Sequence, residues 1–269
     1  MAQSIAQRSR RVVVLGVPVD ALTVDDLHDR LRQAVGGRAC ITVLHVNAHA
    51  LNLACRHDGF AGILRRADVV LCDGHGVRLA ARALGQDIPV RITYAEWAWQ
   101  LAALCETEGW RLFLLGAADG VAAEAAARLR DRHPALHVAG TAHGYFDKRP
   151  GSRASADVVD AINTSGADVV LVGFGMPMQE QWVSEHRARI QAPVVLTGGA
   201  VFDYVAGRVR RPPRFMTRNG LEWLGRLWLE PRRLAGRYLV GNPEFVARVL
   251  HQRWRERRAR HARGPDAGR

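Results

Sequence analysis

The sequence VVLCDGHGV, residues 69–77, places a carboxylate where a buried strand is predicted to end and a helix to begin. Asp73 follows three apolar residues and a cysteine, and Gly74 and Gly76 flank His75. Ligands of open α/β sheets bind outside the carboxyl ends of the strands, and a carboxylate there can act as a general base toward a hydroxyl. The glycines would let a ligand approach the backbone near a helix N-terminus, which favours negative charge. The alternative is that Asp73 only caps the helix.

A second loop of this kind is VVLVGFGMPMQEQW, residues 169–182. Gly173 and Gly175 form its turn, and Gln179 and Glu180 follow in the first helical turn, where they could hydrogen-bond a sugar or a base. The third glycine of G-x-G-x-x-G is missing, so the standard dinucleotide fingerprint is absent. The alternative for Glu180 is that it only complements the helix dipole.

Two further segments offer polar groups. Arg91 precedes Thr93, a pairing suited to an anionic group, and His45 and Asn47 lie at the end of the second predicted strand. Neither H-E-x-x-H nor an Asp-x-Asp pair occurs, so we predict no metal site and no cofactor. The motifs of serine hydrolases and P-loop enzymes are also missing, which argues against both classes.

Short apolar runs alternate with helical patterns from residue 11 to about residue 200. The runs are rich in Val, Leu and Ile without strict alternation, which is typical of strands buried on both faces of a parallel sheet. The predicted strands are 11–17, 40–46, 68–72, 110–115, 136–140, 167–173 and 193–197. This β–α order predicts a Rossmann-like, mostly parallel sheet with helices on both faces, formed by residues 1–207.

The net charge of +12 belongs to the last quarter of the chain. Residues 208–269 contain 17 arginines and five acidic residues, whereas the rest of the chain is balanced. Two amphipathic helical patterns follow a pair of prolines, and Asn242 with Pro243 predicts the start of the second helix. We therefore predict a basic amphipathic helical appendage over 208–260 and a flexible tail over 261–269.

Composition alone does not identify what the appendage binds. Its apolar side chains could enter the headgroup region of an anionic membrane, with the arginines drawn to the lipid. They could instead pack on the core or on a second copy, so a homo-oligomer is left open. The side chains concerned are Trp223, Leu224, Leu227, Trp228 and Trp254.

A nucleic-acid-binding α/β protein, gripping phosphates through its basic end, is the rival function. The regular apolar spacing of that end and the absence of a recognised motif count against nucleic acid as a partner. No apolar run approaches the roughly 20 residues that span a bilayer. The four cysteines lie in apolar contexts, which predicts buried, reduced thiols and a cytoplasmic protein.

Five blocks of the sequence resemble, in order and spacing, the WecG/TagA/CpsF glycosyltransferases (glycosyltransferase family 26). They are ADVVLCDGHGVRLAARALGQDIPVRIT, GTAHGYF, DVVLVGFGMPMQEQW, GGAVFDYVAGRVRRPPRFMTRNGLEWLGRLWLEPRRLAGRYL and GNPEF, and the resemblance runs from about residue 12 to 246. It implies metal-independent, inverting transfer of a sugar from a UDP-sugar to a polyprenyl-diphosphate-linked acceptor. The implied setting is the inner face of the cell membrane, in surface polysaccharide or cell-wall glycan synthesis.

The resemblance also implies roles for single residues. Asp73 matches the family's catalytic base, while Asn47, Arg91 and Gln179 match its substrate-binding positions. The family's appendage arginines, which close over the diphosphate, are matched by Arg226, Arg233 and Arg237.

Three positions depart from the family pattern. His45 stands where most members have Thr, Tyr94 where Gly is usual, and Glu96 where many have Asp. These positions fall where a donor or acceptor sugar would lie. We therefore predict altered sugar contacts and assign no particular donor sugar.

Overall fold

The computed structural model describes residues 10–209, 213, 216–217 and 220–262, apart from the side chains of Arg233 and of residues 260–262. Its strands are β1 (Arg11–Val14), β2 (Val17–Asp20), β3 (Ile41–Val46), β4 (Val69–Cys72), β5 (Leu112–Gly116), β6 (Val138–Ala142), β7 (Val169–Gly173) and β8 (Val194–Thr197). The last six form one sheet in the order β4-β3-β8-β7-β5-β6, and every neighbouring pair is parallel. The predicted Rossmann-like parallel sheet is confirmed.

The predicted first strand, 11–17, is wrong in its length and in its place. β1 and β2 form a separate antiparallel hairpin instead. Leu15 and Gly16, with φ angles of 51° and 77°, make the two-residue turn in which both central residues take positive φ. That turn reverses the chain inside the apolar run, and Pro18 removes a donor that a central strand would need.

The helices up to residue 205 alternate with the strands of the sheet. They are α1 (Val24–Gly37), α2 (Ala48–Arg56), α3 (Asp58–Arg66), α4 (His75–Ala83), α5 (Tyr94–Glu108), α6 (Val121–Arg132), α7 (Arg153–Ser165), α8 (Met178–His186) and α9 (Val201–Val205). Several have the ends that their sequence predicts. Thr23 and Asp26 form a capping box at the start of α1, a reciprocal pairing that satisfies two backbone donors.

Successive side chains of each strand point to opposite faces of the sheet, and each face is covered by helices. Leu114 and Leu171 pack into one core with residues of α1, α5, α6 and α9. On the opposite face, Leu44 and Val70 pack with α2, α3 and α4, and Val172 packs with α7 and α8. Strands β4, β5, β7 and β8 are therefore buried on both faces, which explains their continuous apolar runs. The edge strand β6 is only partly buried.

The described C-terminal part is helical almost throughout. Its elements are α10 (Glu222–Leu229), α11 (Pro231–Ala235), a π-helical turn (Gly236–Val240) and α12 (Gly241–Ala262). The predicted helix start at Asn242 is wrong, because α12 continues directly from the π-turn. This wider turn ends three residues before Pro243, which cannot donate a hydrogen bond to the carbonyl four residues earlier.

Helix α12 belongs to a core of the α/β unit. Phe245 and Val249 are almost fully buried and share a cluster with residues of α2, α3, α4 and the β1–β2 hairpin. The side chain of Asn52 in α2 donates to the carbonyl of Gly241 at 2.7 Å. The boundary predicted at residue 207 stays a prediction, and residues 210–212 and 263–269 lie outside the described part.

The cysteine prediction is half wrong. Cys72 and Cys105 are buried, as predicted, but Cys40 and Cys55 are exposed; all four are free. Cys40 stands just before β3 and Cys55 near the end of α2, and apolar neighbours in sequence do not bury a residue at an element's end. Among the described helices, none is long and apolar enough to cross a membrane.

Candidate active site

A cavity of about 700 Å³ opens at the carboxyl ends of β3 and β4, between α4 and the C-terminal helices. Its lining contains seven of the residues predicted from the sequence. They are Asn47, Asp73, Gly74, Gly76, Arg91, Arg226 and Arg237. Two distant parts of the chain, the loop after β4 and the appendage, therefore meet around one space.

Asp73 follows β4 directly and is held at the carboxyl end of the sheet by the backbone of β3. Its amide donates to the carbonyl of Val46 at 2.8 Å, which continues the β3–β4 ladder by one bond. The N-cap of α4 is Gly74, at φ 117°, and no side chain caps this helix. The capping role that the sequence left open for Asp73 is therefore not what the structure has. Its half-buried carboxylate faces the cavity instead.

The two glycines around His75 serve different purposes. Gly74 adopts a positive φ that other residues rarely take, so it permits the turn between β4 and α4. A Cβ at Gly76 would lie 3.7 Å from the Phe245 ring of α12. His75 itself reaches the carbonyl of Thr217 through Nε2 at 3.1 Å. This loop therefore binds the C-terminal region as well as lining the cavity.

Arg91 is bound by the C-terminal region. Its Nη1 donates to Glu222 Oε2 and to Thr93 Oγ1, both at 3.1 Å, and its Nη2 donates to the carbonyl of Thr217 at 3.0 Å. The side chains of Arg91 and Glu222 are only 13% and 20% exposed. Arg91, which the sequence predicted to bind an anion, therefore lines the cavity but is already paired with Glu222. The sequence analysis did not identify Glu222.

Arg226 of α10 supplies a second cation close to Asp73. Burial lowers its pKa, but neighbouring acidic groups outweigh burial and raise the pKa above the ordinary value. In decreasing order of effect these groups are Tyr238, Tyr204, Glu222 and Asp73. Within the described part, its buried Nε has no hydrogen-bond partner. A buried guanidinium nitrogen without a partner is costly, so this end of the cavity suits an anionic ligand.

Arg237 lines the cavity from the π-turn, above two histidines of the β3–α2 region. Burial, Arg237 and Arg56 together lower the pKa of His49 to about 4. Burial also lowers the pKa of His45, and the positive charge of Arg237 adds to that effect. Both imidazoles are neutral at physiological pH. The side chain of Arg233, the third predicted diphosphate ligand, lies outside the described residues.

Asn47 combines a structural and a lining position. It is the N-cap of α2, and its Oδ1 accepts from the backbone amide of Ala50 at 3.1 Å. The cap leaves the Asn47 amide nitrogen available in the lining of the cavity, because a cap uses only the oxygen. The fixed cap therefore orients this side chain beside Asp73.

Two departures from the family pattern contact each other. The rings of His45 and Tyr94 lie 4.9 Å apart, and both are almost fully buried. His45 Nδ1 bonds the carbonyl of Thr197 at 2.7 Å. Burial raises the pKa of Tyr94, and the charges of Asp73 and Glu180 raise it further. The two rings therefore pack against each other within the electrostatic influence of Asp73, and neither lines the cavity.

Gln179 is fully buried and holds two glycine turns together. Its Oε1 accepts from the amides of Gly175 and Gly199, at 3.2 and 3.0 Å. Its Nε2 donates to Glu180 Oε1 at 2.7 Å. These three hydrogen bonds use both acceptor sites of the Gln179 side-chain oxygen and one of the two N–H donors of its amide group. The residues after β7 therefore form a second cluster, which does not share the lining of the cavity at Asp73.

Glu180 is the most unusual ionisable group of that cluster. It is fully buried, and its Oε2 has no partner among the described residues. Desolvation raises its pKa to about 7, against the lowering effect of the Gln179 hydrogen bond. A carboxylate that only complements the helix dipole, the alternative that the sequence left open, would not need to be buried in this way. Within the described ranges, no three His, Cys, Asp or Glu side chains are grouped to hold a metal ion.

Sequence reasoning missed the apolar wall of the cavity. It consists of Leu79, Ala80, Ala83, Trp223, Tyr238, Phe245, Val246, Val249 and Leu250. The sequence signal that could have identified this wall is the helical spacing of its apolar residues. Residues 245, 246, 249 and 250 share one helical face, but the sequence does not say which surface that face meets.

A Rossmann-like parallel sheet, with a carboxylate and arginines around a cavity at its carboxyl edge, defines an α/β protein of the kind that binds ligands at the carboxyl ends of its strands. The glycosyl transferase WecG/TagA/CpsF family matches residues 12–259. The chain therefore belongs to this family of glycosyltransferases, as the five sequence blocks predicted.

Two curated relatives share the same description, N-acetylglucosaminyldiphosphoundecaprenol N-acetyl-beta-D-mannosaminyltransferase. The protein of Bacillus spizizenii is 32% identical over 202 residues, which cover 74% of this chain and 75% of the relative. That of Staphylococcus aureus is 25% identical over 261 residues, which cover 96% of this chain and the whole relative. The similarity to the second relative therefore includes the appendage.

Proposed function

We propose that this protein transfers a hexosyl or N-acetylhexosaminyl group from a UDP-sugar to a sugar carried on a polyprenyl diphosphate. The observation that carries the proposal is the arrangement of Asp73, Arg226 and Arg237 around one cavity. The relatives are described as acting on a sugar-diphosphoundecaprenol acceptor, and such a diphosphate matches the cationic end of the cavity. The product would enter surface polysaccharide or cell-wall glycan synthesis.

Asp73 acts as the general base of this reaction. Its carboxylate takes the proton of the acceptor hydroxyl while that oxygen forms a bond to the anomeric carbon of the donor. The bond from this carbon to the β-phosphate oxygen breaks on the opposite face, so the configuration inverts and UDP leaves. The half-buried position of Asp73 at the cavity wall supports this role, because no cap or ion pair with a described residue occupies it.

The arginines stabilise the phosphates. Negative charge grows on the leaving β-phosphate in the transition state, and cations placed there lower the barrier more than they stabilise the bound donor. Guanidinium groups match phosphate oxygens in geometry. Arg91, Arg226 and Arg237, with Arg233 as a further candidate, therefore replace a metal ion in a metal-independent reaction.

The glycine turns after β7 and β8 form the donor side of the site. Gly173 leaves no room for a side chain, since a Cβ there would lie 2.7 Å from the carbonyl oxygen of Gly199. Gln179 fixes both turns through its carbonyl oxygen. We assign Gly173, Gly175, Gln179 and Glu180 to holding the donor's binding surface in shape.

The appendage brings the enzyme to its lipid substrate at the inner face of the membrane. Trp228 is 86% exposed, and Leu224, Leu239 and Val240 are also exposed. Large exposed apolar side chains beside arginines suit a peripheral position on anionic lipid. A peripheral location supports the use of an acceptor that is embedded in the bilayer.

The test is release of UDP from a panel of UDP-sugars that includes UDP-N-acetylmannosamine, with and without a polyprenyl-diphosphate-linked N-acetylglucosamine, in EDTA. We expect release from one donor, dependent on the acceptor and unaffected by EDTA. NMR of the product should show an inverted anomeric configuration. Release without acceptor dependence, or loss of activity in EDTA, would contradict the corresponding part of the proposal.

A further inference from the structure

The cavity at Asp73 has two chemically different parts. Its charged lining residues come from the loops after β4 and α4, from α10 and from the π-turn: Asp73, Arg91, Glu222, Arg226 and Arg237. The second part runs between one face of α4 and one face of α12. Its lining residues among those described are apolar: Leu79, Ala80 and Ala83 from α4, and Phe245, Val246, Val249 and Leu250 from α12.

These apolar side chains form a groove with a floor and two rims. Phe245 and Val249 are the floor, at 5% and 4% exposure, whereas Leu79, Val246 and Leu250 stand on the rims at 62%, 54% and 54%. Exposed aliphatic groups gain free energy when an apolar ligand covers them. The floor also belongs to the core that joins α12 to α4, so the groove is part of the packed fold.

The linings match the chemical parts of one molecule. A sugar on a polyprenyl diphosphate presents a hydroxyl, two phosphates and a branched hydrocarbon chain. The cavity presents the Asp73 carboxylate, the guanidinium groups of Arg226 and Arg237, and the apolar groove. Because these surfaces belong to a single cavity, one extended ligand can meet all three.

We propose that the groove between α4 and α12 binds the first isoprene units of the acceptor's own polyprenyl chain, next to the diphosphate. This inference rests on the proposed function and adds the direction in which the acceptor lies. The lining face of α4, from Gly76 to Ala83, is about 10 Å long at 1.5 Å per residue. A geranyl group, with two isoprene units, is of comparable length.

The test is isothermal titration calorimetry of the full-length protein, without membranes, using methyl, geranyl and farnesyl diphosphate below their micelle concentrations. Burying the geranyl chain should tighten binding at least about 50-fold over methyl diphosphate. Farnesyl diphosphate should add less than about 5-fold, because its third unit leaves the groove. Equal affinity for methyl and geranyl diphosphate would overturn the proposal, and so would absence of binding by all three.

Two variants locate the effect. Leu250→Asp places a charge on the groove rim and should weaken geranyl diphosphate at least about 10-fold while leaving methyl diphosphate unchanged. Leu229→Asp is the matched control, since Leu229 is 48% exposed on the same appendage but does not line the cavity. It should bind both probes as the unmodified protein does. Equal weakening by both substitutions would overturn the proposal.

The occupant and the reaction are tested separately. If phosphatidylcholine vesicles displace geranyl diphosphate, the groove holds bulk lipid and the proposal fails. If sedimentation shows that two copies of the chain associate and that geranyl diphosphate dissociates them, the groove is an interface between copies and the proposal fails. If UDP release depends on the acceptor but the affinity for the three diphosphates does not depend on their chain length, only the groove proposal is refuted. If that affinity depends on chain length but no UDP is released from any donor, the proposed function is refuted.

Discussion

Arg91 and Glu222 form an ion pair of 3.1 Å across 131 residues of sequence. The pair joins the loop after α4 to the first turn of α10, and Arg91 also holds the carbonyl of Thr217. It therefore ties the C-terminal region to the wall of the cavity. Both side chains are mostly buried, so water screens their attraction less than at an exposed surface.

Removing this pair should loosen α10. Glu222→Gln and Arg91→Ala should each speed amide hydrogen exchange in residues 222–229, and the double variant should add little to either. The expected coupling free energy is about 1–3 kcal/mol, as for residues in direct contact. Arg82→Ala is the control, because Arg82 pairs with Asp87 at the exposed surface. Exchange that rises additively would show that the two side chains act independently.

Asp73→Asn should lower kcat at least about 100-fold, because general-base catalysis contributes 10²–10⁴-fold and the amide cannot accept the proton. The dissociation constant of the UDP-sugar should stay within about 3-fold. Both quantities are measurable, by UDP release and by calorimetry. Asp87→Asn, at an exposed surface position, provides the control. Unchanged turnover in Asp73→Asn would end the assignment of the base.

Arg226→Ala should lower kcat/KM about 100-fold, since a charge-assisted hydrogen bond contributes up to about 3 kcal/mol. Arg226→Lys should recover part of the loss, because a point charge replaces the guanidinium fork. Steady-state kinetics with varied acceptor tests this. Arg232→Ala is the matched control, as Arg232 is an exposed arginine of α11. A similar loss in both alanine variants would indicate a general effect of positive charge.

Glu180 should make stability depend on pH. Its pKa in the folded protein is about 7, against 4.5 ordinarily, so the folded state binds a proton that the unfolded state releases between these values. The free energy of unfolding should therefore fall as pH rises through this window, by roughly 3 kcal/mol.

The isosteric substitution Glu180→Gln should remove that decline, because the amide stays neutral and can still accept from Gln179. Urea unfolding at pH 5, 6, 7 and 8 measures it. Glu185→Gln changes an exposed carboxylate on the same helix and should keep the slope of the unmodified protein. A flat profile in the unmodified protein would contradict the prediction.

Trp228→Ser should weaken binding to phosphatidylglycerol vesicles about 10-fold or more, as expected for a large side chain that leaves an apolar environment. Higher salt should weaken binding of both forms, because the arginines are attracted to the anionic surface. Vesicle flotation measures both effects. Tyr145→Ser is the control, since Tyr145 is 78% exposed but lies outside the appendage. Equal losses would place the membrane contact elsewhere.

The sequence by itself determined the sheet and the residues at its edge. Runs rich in Val, Leu and Ile predicted β4, β5, β7 and β8 because strands buried on both faces need no alternation. The edge strand β6 (Val138–Ala142) is less apolar and lies two residues beyond its predicted span. Asp73 and Gly74 were found because a charged residue and turn glycines follow a predicted strand, and Arg91 was found from its pairing with Thr93. It misjudged the run at residues 11–17, where positive φ at Leu15 and Gly16 makes a hairpin that an apolar pattern does not reveal.

Only the tertiary structure decided what these residues meet. Glu222 and Arg91 are far apart in sequence, and the sequence around one gives no information about its contact with the other. The structure also separated Gln179 and Glu180 from the cavity at Asp73 and brought His45 against Tyr94. Local patterns reflect which face of a helix or strand is apolar, whereas contacts between distant segments depend on how all the layers pack at once. The groove between α4 and α12 arises only from that packing.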